Sequence, residues 1–205
     1  MTQPLHQLKE SPSQTAGPYV HIGLTPNALG IPGIYPEDLG LSPIREGAKG
    51  ERITITGHVR DGAGMILRDA LIESWQADAA GLFNSPSETR GKADPNVIGW
   101  ARILADFDSG DWSLTTVKPG AVTLPQGGTM APHIALWIVA RGVNIGLQTR
   151  IYFEDEGEAN AACPVLARIE HKARIPTLLA KKTGPGQYRF DIVLQGDDET
   201  VFFDL

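Results

Sequence analysis

Arg52-Ile53-Thr54-Ile55-Thr56-Gly57-His58-Val59-Arg60 decides the fold class. Ile53, Ile55, Gly57 and Val59 alternate with Arg52, Thr54, Thr56 and His58, and a period of two is that of a half-buried strand. Asp61-Gly62-Ala63-Gly64 is a turn, and Leu71-Ile72-Glu73-Ser74-Trp75-Gln76 reads as the next strand. Asp108-Ser109-Gly110-Asp111 is a second turn signal, ahead of a strand at Trp112-Ser113-Leu114-Thr115 that the Lys118-Pro119-Gly120 group ends. Residues 134–140 are continuously apolar and too few for most helices, as a central strand requires, and 147–153 follow as another strand. Residues 155–162 are the one helical stretch, with acids at its start where the helix dipole favours them. Pro164 interrupts it, and 165–169 form a second short turn. Residues 178–181 and 188–194 read as a hairpin across Gly184-Pro185-Gly186. The pattern predicts a mainly β chain with short helical connections, most simply a sandwich, over residues 51–205.

Residues 1–50 are different material. Prolines at 4, 12, 18, 26, 32, 36 and 43 and glycines at 17, 23, 30, 33, 40, 47 and 50 leave no helical or strand period. Tyr19, Val20, Ile22, Leu24, Ile31, Ile34, Tyr35 and Leu39 are nevertheless large and apolar. A solvated tail has no use for them, so the stretch reads as an irregular N-terminal arm that packs on its own domain or on a partner.

Composition narrows the function classes. Hydrophobic residues at 41% and charged residues at 20% are globular proportions, and 23 glycines with 15 prolines disfavour a helical bundle. Twenty-four acidic against 18 basic residues, without a basic cluster, argue against nucleic acid as a partner. One cysteine, Cys163, allows no intrachain disulfide, and its setting before Pro164 suggests an inert buried thiol. No apolar run approaches the ~18 residues of a membrane span, and the first residues lack a signal layout. These features point to a cytoplasmic chain. No phosphate loop, dinucleotide fingerprint or nucleophile elbow occurs, and histidines at 6, 21, 58, 133 and 171 form no close pair at ligand spacing. The residues alone therefore stop at a sandwich without a self-contained catalytic site.

Several strings together are more specific. Ser13-Gln14-Thr15-Ala16-Gly17-Pro18-Tyr19, Ile72-Glu73-Ser74-Trp75-Gln76-Ala77-Asp78, Thr116-Val117-Lys118-Pro119-Gly120, Ala131-Pro132-His133-Ile134, Ala140-Arg141-Gly142-Val143-Asn144-Ile145, Thr149-Arg150-Ile151-Tyr152-Phe153 and Thr200-Val201-Phe202-Phe203-Asp204 resemble the intradiol ring-cleaving dioxygenases over residues 8–205. The resemblance implies a mixed-topology, prealbumin-like β-sandwich and a non-haem Fe(III) held in catalytic members by two tyrosines and two histidines. Phenolate oxygens are hard anionic donors that suit the ferric state. At the matching positions this chain has Phe83 and Val122 for the tyrosines, and His133 and Ala135 for the His-x-His pair. Three of four donors are missing, so the resemblance is to a member chain without its own iron, whose iron is bound by a partner β chain in an αβ hetero-oligomer.

For such a chain the resemblance implies no catalytic residue of its own and a share in the substrate pocket. The expected substrate is protocatechuate, cleaved with O2 to 3-carboxy-cis,cis-muconate. The substrate-binding candidates are Arg141, Thr15, Gly17 and Pro18. Arg141 offers a permanent charge with planar donors for a carboxylate, and Gly17-Pro18 a rigid backbone of little bulk beside a flat ring. Thr15 either touches substrate or caps backbone, and Tyr19 is expected to pack the arm. Two alternatives compete. The string 57–70 would also serve a non-catalytic prealbumin-like binding module, and a self-sufficient catechol or hydroxyquinol dioxygenase would need the missing tyrosines.

Overall fold

The structure, a computed structural model, describes residues 15–17 and 19–204. Pro18 therefore lies outside the described residues, as do 1–14 of the arm. A single turn of helix, α1 (Val20–Leu24), comes first. The strands follow as β1 (Arg52–Gly57), β2 (Val59–Arg60), β3 (Leu71–Gln76), β4 (Trp100–Leu104), β5 (Trp112–Val117), β6 (Val122–Thr123), β7 (Thr129–Met130), β8 (His133–Val139) and β9 (Leu147–Phe153). Helix α2 (Gly157–Ala162) and 3-10 turns at Leu166–Arg168 and Lys172–Leu178 lead to β10 (Leu179–Gly184), β11 (Gln187–Arg189) and β12 (Ile192–Val193).

Eight strands form one sheet in the order β4-β3-β8-β9-β10-β11-β1-β5, while β12 pairs with β2 and β6 with β7. Its neighbours are antiparallel except that β10 runs parallel to β9 and β11 parallel to β1. The topology is thus mixed, as the family resemblance implies. The sheet folds over so that its two ends, β4 and β5, come back into contact, with a bridge between Ala105 and Trp112.

The core lies between the two halves. Ile53, Ile55, Trp112, Leu114 and Tyr188 from one half meet Ile72, Ile103, Ile134, Leu136, Ile138, Ile151 and Phe153 from the other. The alternation read in 52–60 is the reason: every second residue of β1 is buried. A buried amide joins the halves, because Gln76 Nε2 donates to the Val117 carbonyl at 2.9 Å and its Oε1 accepts from Thr116 at 2.8 Å. A second, smaller core of Val122, Met130, Tyr152, Cys163, Leu166 and Leu178 lies under α2 and the 3-10 turns.

Two strand readings need correction. The strand of 52–60 breaks at His58 into β1 and β2, and the second limb of the hairpin breaks at Phe190-Asp191 into β11 and β12. The breaks face each other. Phe190 N–H donates to Thr56 O and Ile192 N–H to His58 O, both at 2.8 Å, and the Asp191 carboxylate accepts the His58 N–H. A side chain at Gly57 would meet the Phe190 carbonyl at 1.8 Å, so the crossing requires glycine there. Strand β4 had no counterpart in the sequence reading, nor did α1.

The arm region runs beside β4. Arg102 N–H donates to Gly40 O at 2.8 Å and Gly99 N–H to Pro43 O at 3.0 Å. Asp38 is buried and accepts the backbone N–H groups of Asn27 and Ala28. Arg102 pairs with Glu73 across β3 and β4, and its Nη1 donates to Leu24 O at 3.0 Å, which ties α1 to the sheet. Tyr19 does not pack on the described residues: it is 78% exposed, and Ile34, Leu39 and Leu41 are also exposed.

Candidate functional site

The four positions where the family pattern places metal donors come together. Asp78, just after β3, is buried and shapes the loop that carries Phe83. Its carboxylate accepts N–H bonds from Ala80 and Leu82 at 2.9 Å and from Asp94 at 2.8 Å. Gly120 N–H donates to the Asp78 carbonyl, so the loop of Val122 lies against the loop of Phe83 backbone to backbone. Two glycines permit this. Gly81 has φ +79°, and a Cβ there would stand 2.0 Å from Ala121 O; one on Gly120 would stand 2.5 Å from Ala79 O. Phe83 and Val122 then line one groove of about 340 Å³ with Trp75, Leu124 and Met130.

His133 and Ala135 share a face of β8, two residues apart, and Ala135 sits opposite Trp75 in the ladder. The Trp75 and Phe83 rings stack with centroids 5.9 Å apart and planes 5° apart. Arg90 closes the groove rim, paired with Glu88 and donating to Thr123 O at 3.0 Å, its guanidinium 5.9 Å from the Phe83 ring centre. Its hydrogen bond is the main cause that pulls Glu88 down to about 2.

This donor set does not fit ferric iron. Phe83, Val122 and Ala135 have no donor atoms. His133 Nδ1 stands 2.8 Å from Ala131 O, and since a carbonyl only accepts, that nitrogen carries the proton. Burial pushes the imidazole down to about 4, against the bond to Ala131 and with the help of the Arg150 charge. Tyr152, stacked on His133 at 5.7 Å, is fully buried. Burial raises its pKa strongly, and Cys163 adds to the rise, so it remains a phenol and offers no phenolate. Cys163 is a buried free thiol 4.0 Å from that phenol oxygen. Among the described residues no group of three or more His, Cys, Asp or Glu could hold a metal ion.

The substrate-pocket candidates lie at the other end of β8. Arg141 begins the turn after β8, its side chain 65% exposed, with Nε paired to the Asp69 carboxylate. Thr15 clasps that turn. Its hydroxyl donates to Ala140 O at 3.2 Å and accepts the Gly142 N–H at 2.8 Å. The structure thus brings Thr15 and Arg141 together across 126 positions of chain, with Gly17 two residues from the clasp and nothing within 4 Å of where its Cβ would be. Asp69 was missed in the sequence. The ladder of β3 and β8 ends at Leu71 with Val139, and just beyond that end Asp69 meets Arg141 in an ion pair.

Comparisons with known proteins speak to the family and the fold. A family model described as Dioxygenase matches residues 37–196. The chain is 47% identical to the protocatechuate 3,4-dioxygenase alpha chain of Pseudomonas putida, over 98% of this chain and 100% of that one. It is 33% identical to the beta chain of the same-named enzyme from Burkholderia cepacia, over 80% of this chain and 73% of that one. In fold it is similar to the 3-chlorocatechol 1,2-dioxygenase of Rhodococcus opacus 1CP, with a TM-score of 0.57 and 23% identity over 79% of this chain and 68% of that one. A sandwich of mixed topology, loops interlocked at Gly81 and Gly120, and a match across most of the chain lead to one statement: the protein belongs to the intradiol ring-cleaving dioxygenase family.

Proposed function

We propose that this chain is the iron-free α subunit of a protocatechuate 3,4-dioxygenase. It joins an Fe(III)-carrying β chain in an αβ hetero-oligomer of the cytoplasm, and the assembly cleaves protocatechuate with O2 to 3-carboxy-cis,cis-muconate. One observation carries the reading. The positions of the metal donors are filled by a packed apolar cluster around Phe83 and Val122, while Thr15 and Arg141 remain joined at the far end of β8. The likeness to an alpha chain over the full length supports it.

In this reading the oxygen chemistry falls to the partner. The part of this chain is orientation: placing a bound substrate correctly is itself a large share of a rate enhancement. The Arg141 guanidinium binds the substrate carboxylate by charge-assisted hydrogen bonds. Thr15 fixes the turn that carries Arg141, and Gly17 offers a backbone of little bulk beside the ring. Residues 1–50 act as the arm that meets the partner, and the exposed Tyr19, Ile34, Leu39 and Leu41 supply apolar surface for it.

The test is to produce the chain alone and together with an iron-carrying β chain. Alone, supplied with ferric iron, it should consume no O2 with protocatechuate. Together, the two should co-purify and give protocatechuate-dependent O2 uptake with a ring-opened tricarboxylate product. Turnover by the isolated chain would sink the proposal.

A further inference from the structure

Asp69 is the residue of this region that the proposed function leaves unused. The β3–β8 ladder ends at Leu71 with Val139, and Asp69 meets Arg141 just beyond that end, past the buried Ala70 and Ala140. Its carboxylate is mostly sheltered, with the side chain 21% exposed against 65% for Arg141. The contact is through Nε. A guanidinium has five N–H donors, one on Nε and four on the terminal nitrogens. Among the described residues no side-chain hydrogen bond occupies any of the Arg141 donors, so the ion pair with Asp69 is what restrains the fork. Two neighbouring donors of such a fork take a carboxylate by two parallel bonds.

We propose that Asp69 is a positioning residue for Arg141, its ion pair restraining the guanidinium at the turn after β8 so that the donors left free present a ready fork to the carboxylate of an aromatic acid. The inference rests on the substrate role given to Arg141 above. Two neighbours complete the device. Thr15 holds the backbone on both sides of Arg141. His21 on α1 is buried, its Nε2 has no hydrogen-bond partner among the described residues, and burial depresses its pKa although Asp69 opposes the shift. A neutral His21 leaves the Asp69 charge to Arg141. Asp69 also repels a substrate carboxylate, but an unheld arginine on an open surface samples many rotamers, so the holding effect prevails.

The experiment uses the complex with the β chain and compares protocatechuate with catechol, which has no carboxylate. Asp69→Asn should raise KM for protocatechuate roughly two- to fivefold, the range of a partly exposed ion pair, with kcat and the catechol KM unchanged. Asp69→Glu should recover part of the loss. Arg141→Lys, which keeps the charge but has no Nε, should lose at least as much as Asp69→Asn, and keeps the idea testable if Asp69→Asn assembles poorly. On an Arg141→Ala background, Asp69→Asn should add nothing. Equal KM changes for both substrates would make Asp69 merely structural and overturn the inference. So would an unchanged KM in Asp69→Asn where Arg141→Ala raises it. An unchanged KM in Arg141→Ala would instead overturn the substrate role of Arg141, and this inference with it.

Discussion

The indole of Trp75 and the ring of Phe83 lie parallel within 5°, centroids 5.9 Å apart, over the region where the family pattern sets its metal donors. Offset stacking of this kind is favourable in itself. Phe83 is therefore more than a tyrosine lacking its oxygen: it is packed against Val122, Met130 and the second core.

Accordingly, the chain purified alone should contain substoichiometric iron and be colourless. Phe83→Tyr should not restore iron, because one phenol and the single imidazole of His133 make two donors where the family pattern has four. Elemental analysis and a visible spectrum check this. A phenolate-to-iron absorption band from the isolated chain would contradict it.

Arg141→Ala in the complex should lower kcat/KM for protocatechuate by roughly 10- to 150-fold, the equivalent of one charge-assisted bond of about 1.5–3 kcal/mol. Catechol turnover should change little, and iron content not at all. Steady-state kinetics with both substrates make the measurement, and equal losses would remove Arg141 from the pocket.

Two glycines of similar φ should differ sharply. Gly142, at +82°, has nothing within 4 Å of its would-be Cβ, so Gly142→Ala should cost only the left-handed backbone penalty of about 1–2 kcal/mol. Gly81, at +79°, has Ala121 O at 2.0 Å, and Gly81→Ala should cost at least about 3 kcal/mol, because the interlocked loops must part. Denaturant unfolding of the two variants gives the comparison.

His133 sets a pH dependence of stability. Its pKa falls from the ordinary 6.5 to about 4 in the folded chain, so on acidification the unfolded chain binds the proton first. Stability present above pH 6.5 is lost between 6.5 and about 4, by about 3 kcal/mol. Carboxylates such as Asp155 act lower. Burial would raise Asp155, but hydrogen bonds from Lys182, Tyr188 and Lys118 prevail and hold it at about 2. His133→Gln keeps a donor for Ala131 O without titrating in this range. The stability advantage of the wild type over that variant should shrink by about 3 kcal/mol from pH 7 to 4 in denaturant titrations.

The strands at β1, β3, β5, β8 and β9 were legible because each buries alternate residues or a continuous apolar run. Strand β4 was not. Ala101 and Ile103 face the core and Arg102 points outward to Glu73 and Leu24 O, but Trp100 and Leu104 on the outer face are apolar too, so no apolar–polar alternation marks its five residues. Helix α1 is five residues long and buries only His21, too short for a period to show. The breaks at His58 and Asp191 depend on each other across the fold and have no local mark. In the candidate site, Phe83, Val122, His133 and Ala135 were named through the family resemblance and not through their own chemistry. The clasp of Thr15 on the Arg141 turn and the pairing with Asp69 could not be read from the sequence, because both arise from which strands become neighbours.

The placement of β11 has a consequence for how the chain is made. The two halves of the sandwich are continuous in the sheet only through the β10–β11 hairpin, which lies between β9 and β1. Residues 52–57 leave the ribosome long before Gln187–Arg189 exist to pair with them. At elongation rates of about 5–20 residues per second the open edge of β1 waits on the order of ten seconds. A chain cut off before Gln187 therefore lacks the strand that completes its sheet, and the edge of β1 stays open.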